Sequence, residues 1–269
     1  MGDDMKKYIL LLLILSLATV SAFAQRKALV IGNSGHGKHS LSTSLNDAQL
    51  AADAFLAIDY DVTLHKDLTY PDFLKAIEDF KANLSINDVA VFYYAGFTEQ
   101  DSGRNYLMPY VDAKSKTRDM EVISVDVALE AISRAYRSFM ILEGRQIGKS
   151  FPKSLCSKDK GLAEIIYLRP NQGFAMANEA GGQLKSQGDK YSIFTYTLFD
   201  KITTGMIDFP VLMEETTESV KAFTNNKQIP HWQSTLDAPF SFWEQTQELK
   251  FPFRLPGYRS LEGGGSYNF

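Results

Sequence analysis

The chain holds four histidines, His36, His39, His65 and His231, and a single cysteine, Cys156. A cysteine nucleophile needs a thiolate stabilised by an imidazole, a nearby cation or a helix N-terminus, and a base within reach. Lys153, Lys158 and Lys160 flank Cys156 in "FPKSLCSKDK". No histidine stands near it in sequence, so a free loop cysteine is expected. A lone cysteine also excludes an intramolecular disulfide and a cysteine-based metal cluster. His36 and His39 stand at i, i+3 spacing without a third ligand nearby, which leaves no metal site and no expected cofactor. His65 and His231 read as surface or structural side chains. A serine nucleophile fares no better, because no G-x-S-x-G elbow occurs.

Phosphate chemistry has a partial motif. "GNSGHGKHS" places Gly37 and Lys38 at phosphate-loop spacing from Gly32, but His39 stands where a Ser or Thr must ligate magnesium. A phosphate loop also needs a helix that starts at once, so that its amides face the anion. Here "HSLSTSL" intervenes and the expected helix start is Asn46 or Asp47. A Gly-rich turn is preferred over a nucleotide-binding loop spanning Gly32 to Lys38.

The elements that must position any site alternate between short apolar runs and amphipathic helices, which predicts a mostly parallel sheet covered on both faces. "KALVIGN" is the first strand, followed by a helix with Leu50, Ala54, Phe55 and Ile58 on one face. "DVTLHKD" is the second, followed by a helix from about Pro71 carrying Phe73, Ile77, Phe80 and Leu84. The third, "VAVFYYAG", is expected to end at Gly96, and "NYLMP" to form a small hairpin. Ser124 caps a helix with Val125, Leu129, Ile132 and Tyr136 on one stripe. "SFMILEG" is the fourth strand, 145–160 a loop, and "AEIIYLRP" the fifth strand. Helices at about 191–204 and 210–224 follow, and "HWQSTL" with "FSFW" closes the domain. Residues 246–269 are Gly-rich and expected to be flexible.

Lys6 and Lys7, the apolar "YILLLLILSLATV" and the A-x-A pair Ala22 and Ala24 form the three regions of a secretory signal, with cleavage expected after Ala24. The apolar run is shorter than the roughly 20 residues of a membrane span. Residues 1–24 are therefore read as a signal, and 25–245 as one domain that is periplasmic or secreted, with no membrane association after signal removal. The formal net charge of −4 offers no field for nucleic-acid phosphates.

Several of these segments occur in the order found in the caspase-like cysteine peptidases of bacteria, of the metacaspase and paracaspase type. "KALVIGNS" resembles that family's opening strand and "SLNDAQLAADAF" its N-D-A helix; "DVAVFYYAG" with "NYLMPYVDA" resembles the strand, catalytic loop and hairpin. "SFMILEGR", "GLAEIIYLRPNQGFAMA", "YSIFTYTLFDKI" and "NKQIPHWQSTLDAPFSF" are similar to its later segments. The resemblance spans 26–243 and implies a caspase-like three-layer sandwich, an α/β fold.

The resemblance also implies where the chemistry belongs. Active members read Y-[SA]-G-H-G at the third strand and D-A-C-R at the fourth, the histidine serving the cysteine and backbone amides holding the oxyanion. In this chain Phe97 occupies the histidine position and Thr98 the following glycine. With Arg145 on the arginine, Gly144 takes the cysteine position, Glu143 the alanine and Leu142 the aspartate. Phe transfers no proton and Gly forms no acyl-enzyme, so the expectation is a pseudopeptidase that binds a protein or peptide partner, an active homologue being one such partner. An active enzyme rewired through Cys156 is the alternative. Glu143 must be solvated or paired to be tolerated at such a position.

Overall fold

The computed structural model describes residues 24–36, 39–111, 121–146, 160–182 and 190–244. Its framework is a sheet with strand order β10-β9-β8-β5-β1-β4. These are β1 (Arg26–Gly32), β4 (Asp61–Lys66), β5 (Val89–Asp101), β8 (Arg137–Gln146), β9 (Gln172–Met176) and β10 (His231–Ser234). All neighbours along this path run parallel except β10, which is antiparallel to β9. The short strands β6 (Arg104–Leu107) and β7 (Ile123–Ser124) extend the sheet beyond β5, and β2 (Gly35–His36) pairs only with β3 (His39–Ser40).

Five helices cover the sheet among the described residues: α1 (Ser42–Ala57), α2 (Tyr70–Asn83), α3 (Val125–Ile132), α4 (Ile193–Thr204) and α5 (Phe209–Phe223). Strand alternation sorts the buried side chains into two cores. Val30, Val91, Tyr93 and Ile141 face α1, α4 and α5, where Phe55, Phe199 and Phe209 meet them. Leu29, Phe92, Tyr94, Met140 and Leu142 face α2 and α3, with Phe73, Phe80 and Leu129. The expected three-layer α/β sandwich is the observed one.

Local chemistry sets most boundaries. Pro71 lies in the first turn of α2 and Pro210 in that of α5, where the missing N–H costs no helical bond. The Ser124 side chain accepts from the Asp126 amide and caps α3. Gly32 lets α1 pack closely on β1, since a Cβ there would lie 2.6 Å from the Ala48 Cβ and 2.7 Å from the Ser44 carbonyl oxygen.

Five expectations need correction. The third strand does not stop at Gly96 but runs to Asp101, because Thr98 to Asp101 pair with β6 across a two-residue turn. Ser102 and Gly103 in that turn both have positive φ, 52° and 80°, the conformation a tight hairpin demands. The fourth strand likewise continues through Arg145 and Gln146. "AEIIYLRP" is not a strand: Leu162, Ile165 and Leu168 are buried at every third position, while Ile166 and Tyr167 are 93% and 74% exposed. A strand repeats every two residues, and the fifth strand is instead the fully buried Gln172–Met176. Helix α1 starts at Ser42 rather than at Asn46 or Asp47, without a side-chain cap. Finally, α3 ends at Ile132, and Tyr136 is half exposed beyond it.

Candidate functional site at the ends of β5 and β8

Strands β5 and β8 bring the two suspect segments side by side. Gly96 pairs with Gly144, Phe97 with Arg145 and Thr98 with Gln146. Phe97 and Gly144 thus lie on neighbouring strands, offset by one residue. Tyr93 and Glu143 both reach Thr195 of α4, so by alternation Phe97 and Arg145 project toward the α1/α4 face. Gly144 belongs to the other face, where a Cβ would sit 2.7 Å from Thr98 Cγ2, 2.9 Å from its Oγ1 and 3.3 Å from Leu162 Cδ1. Thr98 and Leu162 therefore fill the space that any side chain at 144 would enter. Phe97 and Thr98 are themselves buried, at 7% and 1% exposure. No group at 97 or 144 can exchange a proton or attack a carbonyl.

The backbone around this lip is held tightly. Tyr94 Oη lies 2.7 Å from the Phe97 carbonyl and 2.9 Å from that of Met108. The Met108 amide donates to the Phe97 carbonyl at 3.1 Å. Asn33, at the end of β1, donates from Nδ2 to the Met108 carbonyl and accepts from the Leu68 amide. Gly96 must be glycine here, because a Cβ would meet Tyr94 Oη at 2.4 Å.

Beneath the lip, on the α1/α4 face, two carboxyl groups are buried together. Asp47 of α1 accepts from the Ser192 amide at 2.8 Å and the Ser192 hydroxyl at 2.6 Å, at the start of α4. Thr195 donates to Glu143 Oε2 at 3.3 Å and accepts from Tyr93 Oη at 2.7 Å. Burial pushes the Asp47 carboxyl up to about 7, against the pull of the Ser192 bonds. Glu143 is raised well above the usual carboxylate range, first by burial and then by the Asp47 charge, with Thr195 and Arg145 opposing. Burial likewise raises the Tyr93 phenol, with the same two carboxylates adding to it. Glu143 is thus paired rather than solvated.

Two of the other sequence candidates, His65 and His231, lie on other strands of the sheet. His65 lies in β4 with its imidazole pushed down by burial, and His231 lies in β10, with Nε2 3.2 Å from Gln233 Nε2. His36 and His39 pair in the β2-β3 ribbon, and no group of three metal-ligating side chains occurs among the described residues. Cys156, Gly37, Lys38 and the signal segment 1–23 lie outside the described residues. Three residues follow Lys38 before α1 begins, so its amides do not open directly from the Gly-rich turn. Among the described residues no helix is long and apolar enough to cross a membrane.

Asp47, Ser192, Thr195 and Tyr93 escaped the sequence reading. Their only signal was Glu143 itself, a carboxylate on a buried strand that had to find a partner, and Thr195, which donates to it, stands 52 residues away.

No curated protein matches the chain. A crystal structure of a protein from Geobacter sulfurreducens has the same fold, with a TM-score of 0.59 at 12% identity over 82% of this chain and 97% of that one. The caspase domain, peptidase family C14, matches residues 25–147, the stretch that runs from β1 through both strand ends of the site. Over that stretch, a little under half of its length, the chain is similar to the caspase domain, and it shares the fold of the Geobacter protein.

Proposed function

We propose that the chain is an exported caspase-like pseudopeptidase, proteolytically inactive, that binds a protein or peptide partner. The observation that carries this reading is the contact between Thr98 and the Gly144 backbone. The resemblance expects glycine at 98 and cysteine at 144; here the bulk is on the opposite strand, and a side chain at 144 would overlap Thr98. The nucleophile's position is therefore sterically filled as well as chemically empty. Phe97 adds an apolar ring where the resemblance expects the base, so neither half of acyl transfer has an agent there.

A scaffold retained without its reactive groups is suited to binding, with an active homologue as one partner class. The signal pattern in 1–24 supports export to the periplasm or beyond. The test is a hydrolysis screen with acidic and basic peptide libraries, with and without calcium, beside a pull-down of exported proteins by the chain from residue 25. The expected result is no turnover and a saturable partner. Turnover abolished by Cys156→Ala would establish the rewired enzyme instead.

A further inference from the structure

We infer that export builds a charged latch: cleavage after Ala24 frees the α-amino group of Gln25, and that ammonium seats on the Asp88 carboxylate at the start of the central strand. The inference rests on the export reading above.

The Gln25 nitrogen already points at its partner, 3.0 Å from Asp88 Oδ1. The Gln25 carbonyl accepts from the Val89 amide at 2.8 Å, which fixes the residue against β5. Asp88 is 2% exposed. Its Oδ2 accepts from Lys27 Nζ at 3.0 Å and from the Ser85 amide at 2.8 Å, so the carboxylate is oriented before the N-terminus arrives. Burial pushes the Asp88 carboxyl up, but the Ser85, Lys27 and Gln25 donors outweigh it and hold it below the ordinary value. The site is therefore a preformed anion with one donor supplied by the Gln25 backbone nitrogen. Ala24 on the far side of the scissile bond is exposed.

Hydrolysis of the Ala24–Gln25 bond by water leaves a carboxylate on Ala24 and converts the Gln25 amide to an ammonium without moving the nitrogen. A neutral donor becomes a charge-assisted one. The charged groups nearby are few. Lys27 shares the carboxylate and also donates to the Asn83 carbonyl; Arg137 of β8 turns its side chain to Asp237, and Arg134 donates to the Leu84 carbonyl. An ammonium held by Asp88 keeps its proton above the ordinary α-amino value of about 7.7–8.0. With Asp88 ionised, the stabilisation is therefore complete below that value and is lost as pH rises through the raised one, and it is also lost in acid once Asp88 is protonated.

Two forms of the protein test this, one beginning at Gln25 and one retaining Ala24, each alone and with Asp88→Asn. The Gln25 form is expected to melt a few degrees higher than the Ala24 form near neutral pH, the gap closing in alkali and vanishing with Asp88→Asn. Equal melting temperatures at all pH values overturn the latch, and that comparison keeps Asp88 intact. A second readout is cyclisation of the terminal glutamine, in which Nα bonds to Cδ, the Cδ–Nε2 bond breaks and ammonia leaves. A seated ammonium has no free electron pair, so cyclisation should be slow in the folded Gln25 form and faster with Asp88→Asn. Ammonia loss as fast as from an unfolded peptide contradicts the seat. The mass of the exported protein separates the two premises: a start other than Gln25 defeats the cleavage reading and the latch with it. A Gln25 start without any stability gap defeats the latch alone.

Discussion

At the residue scale, the site is defined by what Thr98 and Gly144 exchange. Restoring a side chain at 144 drives it into Thr98, which is packed in the sheet and cannot yield. Gly144→Ala is expected to cost about 1–3 kcal/mol in denaturant unfolding, the usual penalty of overpacking. Combined with Thr98→Gly, the cost should be less than the sum of the single changes, and strict additivity would show that the two residues do not share the space. The carboxyl pair makes a second prediction. Asp47 and Glu143 have raised values in the folded chain, so folding takes up protons and their stabilising contribution is complete at low pH. It is lost as pH rises from the ordinary carboxylate value through about 7 for Asp47, at no more than about 1.4 kcal/mol per pH unit for each titrating proton. Glu143→Gln removes the like charge and should flatten stability measured across pH 4 to 8, taken as approximately the window between those values. An unchanged slope would mean that Glu143 contributes to the pH dependence neither through its own titration nor through Asp47.

At the element scale, the glycine that ends β1 is explained by packing. Gly32→Ala presses a methyl against the Ala48 Cβ and the Ser44 carbonyl of α1, and should destabilise the fold by roughly 1–3 kcal/mol. ATP with magnesium should not raise the melting temperature, whereas a true site saturated at about 100 times its dissociation constant would gain about 2.7 kcal/mol. Most elements were legible in sequence for physical reasons: apolar stripes at Phe73, Ile77 and Phe80, proline in two first turns, and a serine cap at 124. What was hidden depends on tertiary partners. The extension of β5 past Gly96 needs β6, and the Ser102-Gly103 turn has no sequence mark as strong as Asn-Gly. "AEIIYLRP" has strand composition but buries one residue in three, a pattern that composition cannot reveal. Of the candidate site, the ordered motifs pointed to positions 97 and 144, which the structure sets on neighbouring strands, whereas Thr98's volume and the Asp47–Glu143 pair arise from packing between distant segments.

At the scale of the whole molecule, the fold closes with aromatics. Phe139 stacks on Phe240 at 4.4 Å, with Phe242 and Phe209 at 4.9 and 5.2 Å. Arg26 binds the Ser241 and Phe242 carbonyls and pairs with Glu244, tying the end of the domain to its first strand. Phe242→Ala is expected to cost about 3–5 kcal/mol, and removal of 246–269 to leave the melting temperature unchanged, which tests the domain limit at 245. On the proposed reading, a domain with this pair of strand ends acts by binding and not by hydrolysis. Steady-state hydrolysis of acidic and basic peptide libraries by the purified chain is the most direct check. The account predicts no turnover above background, with or without calcium, in the parent and in Cys156→Ala alike. Turnover in the parent that disappears in Cys156→Ala would contradict it.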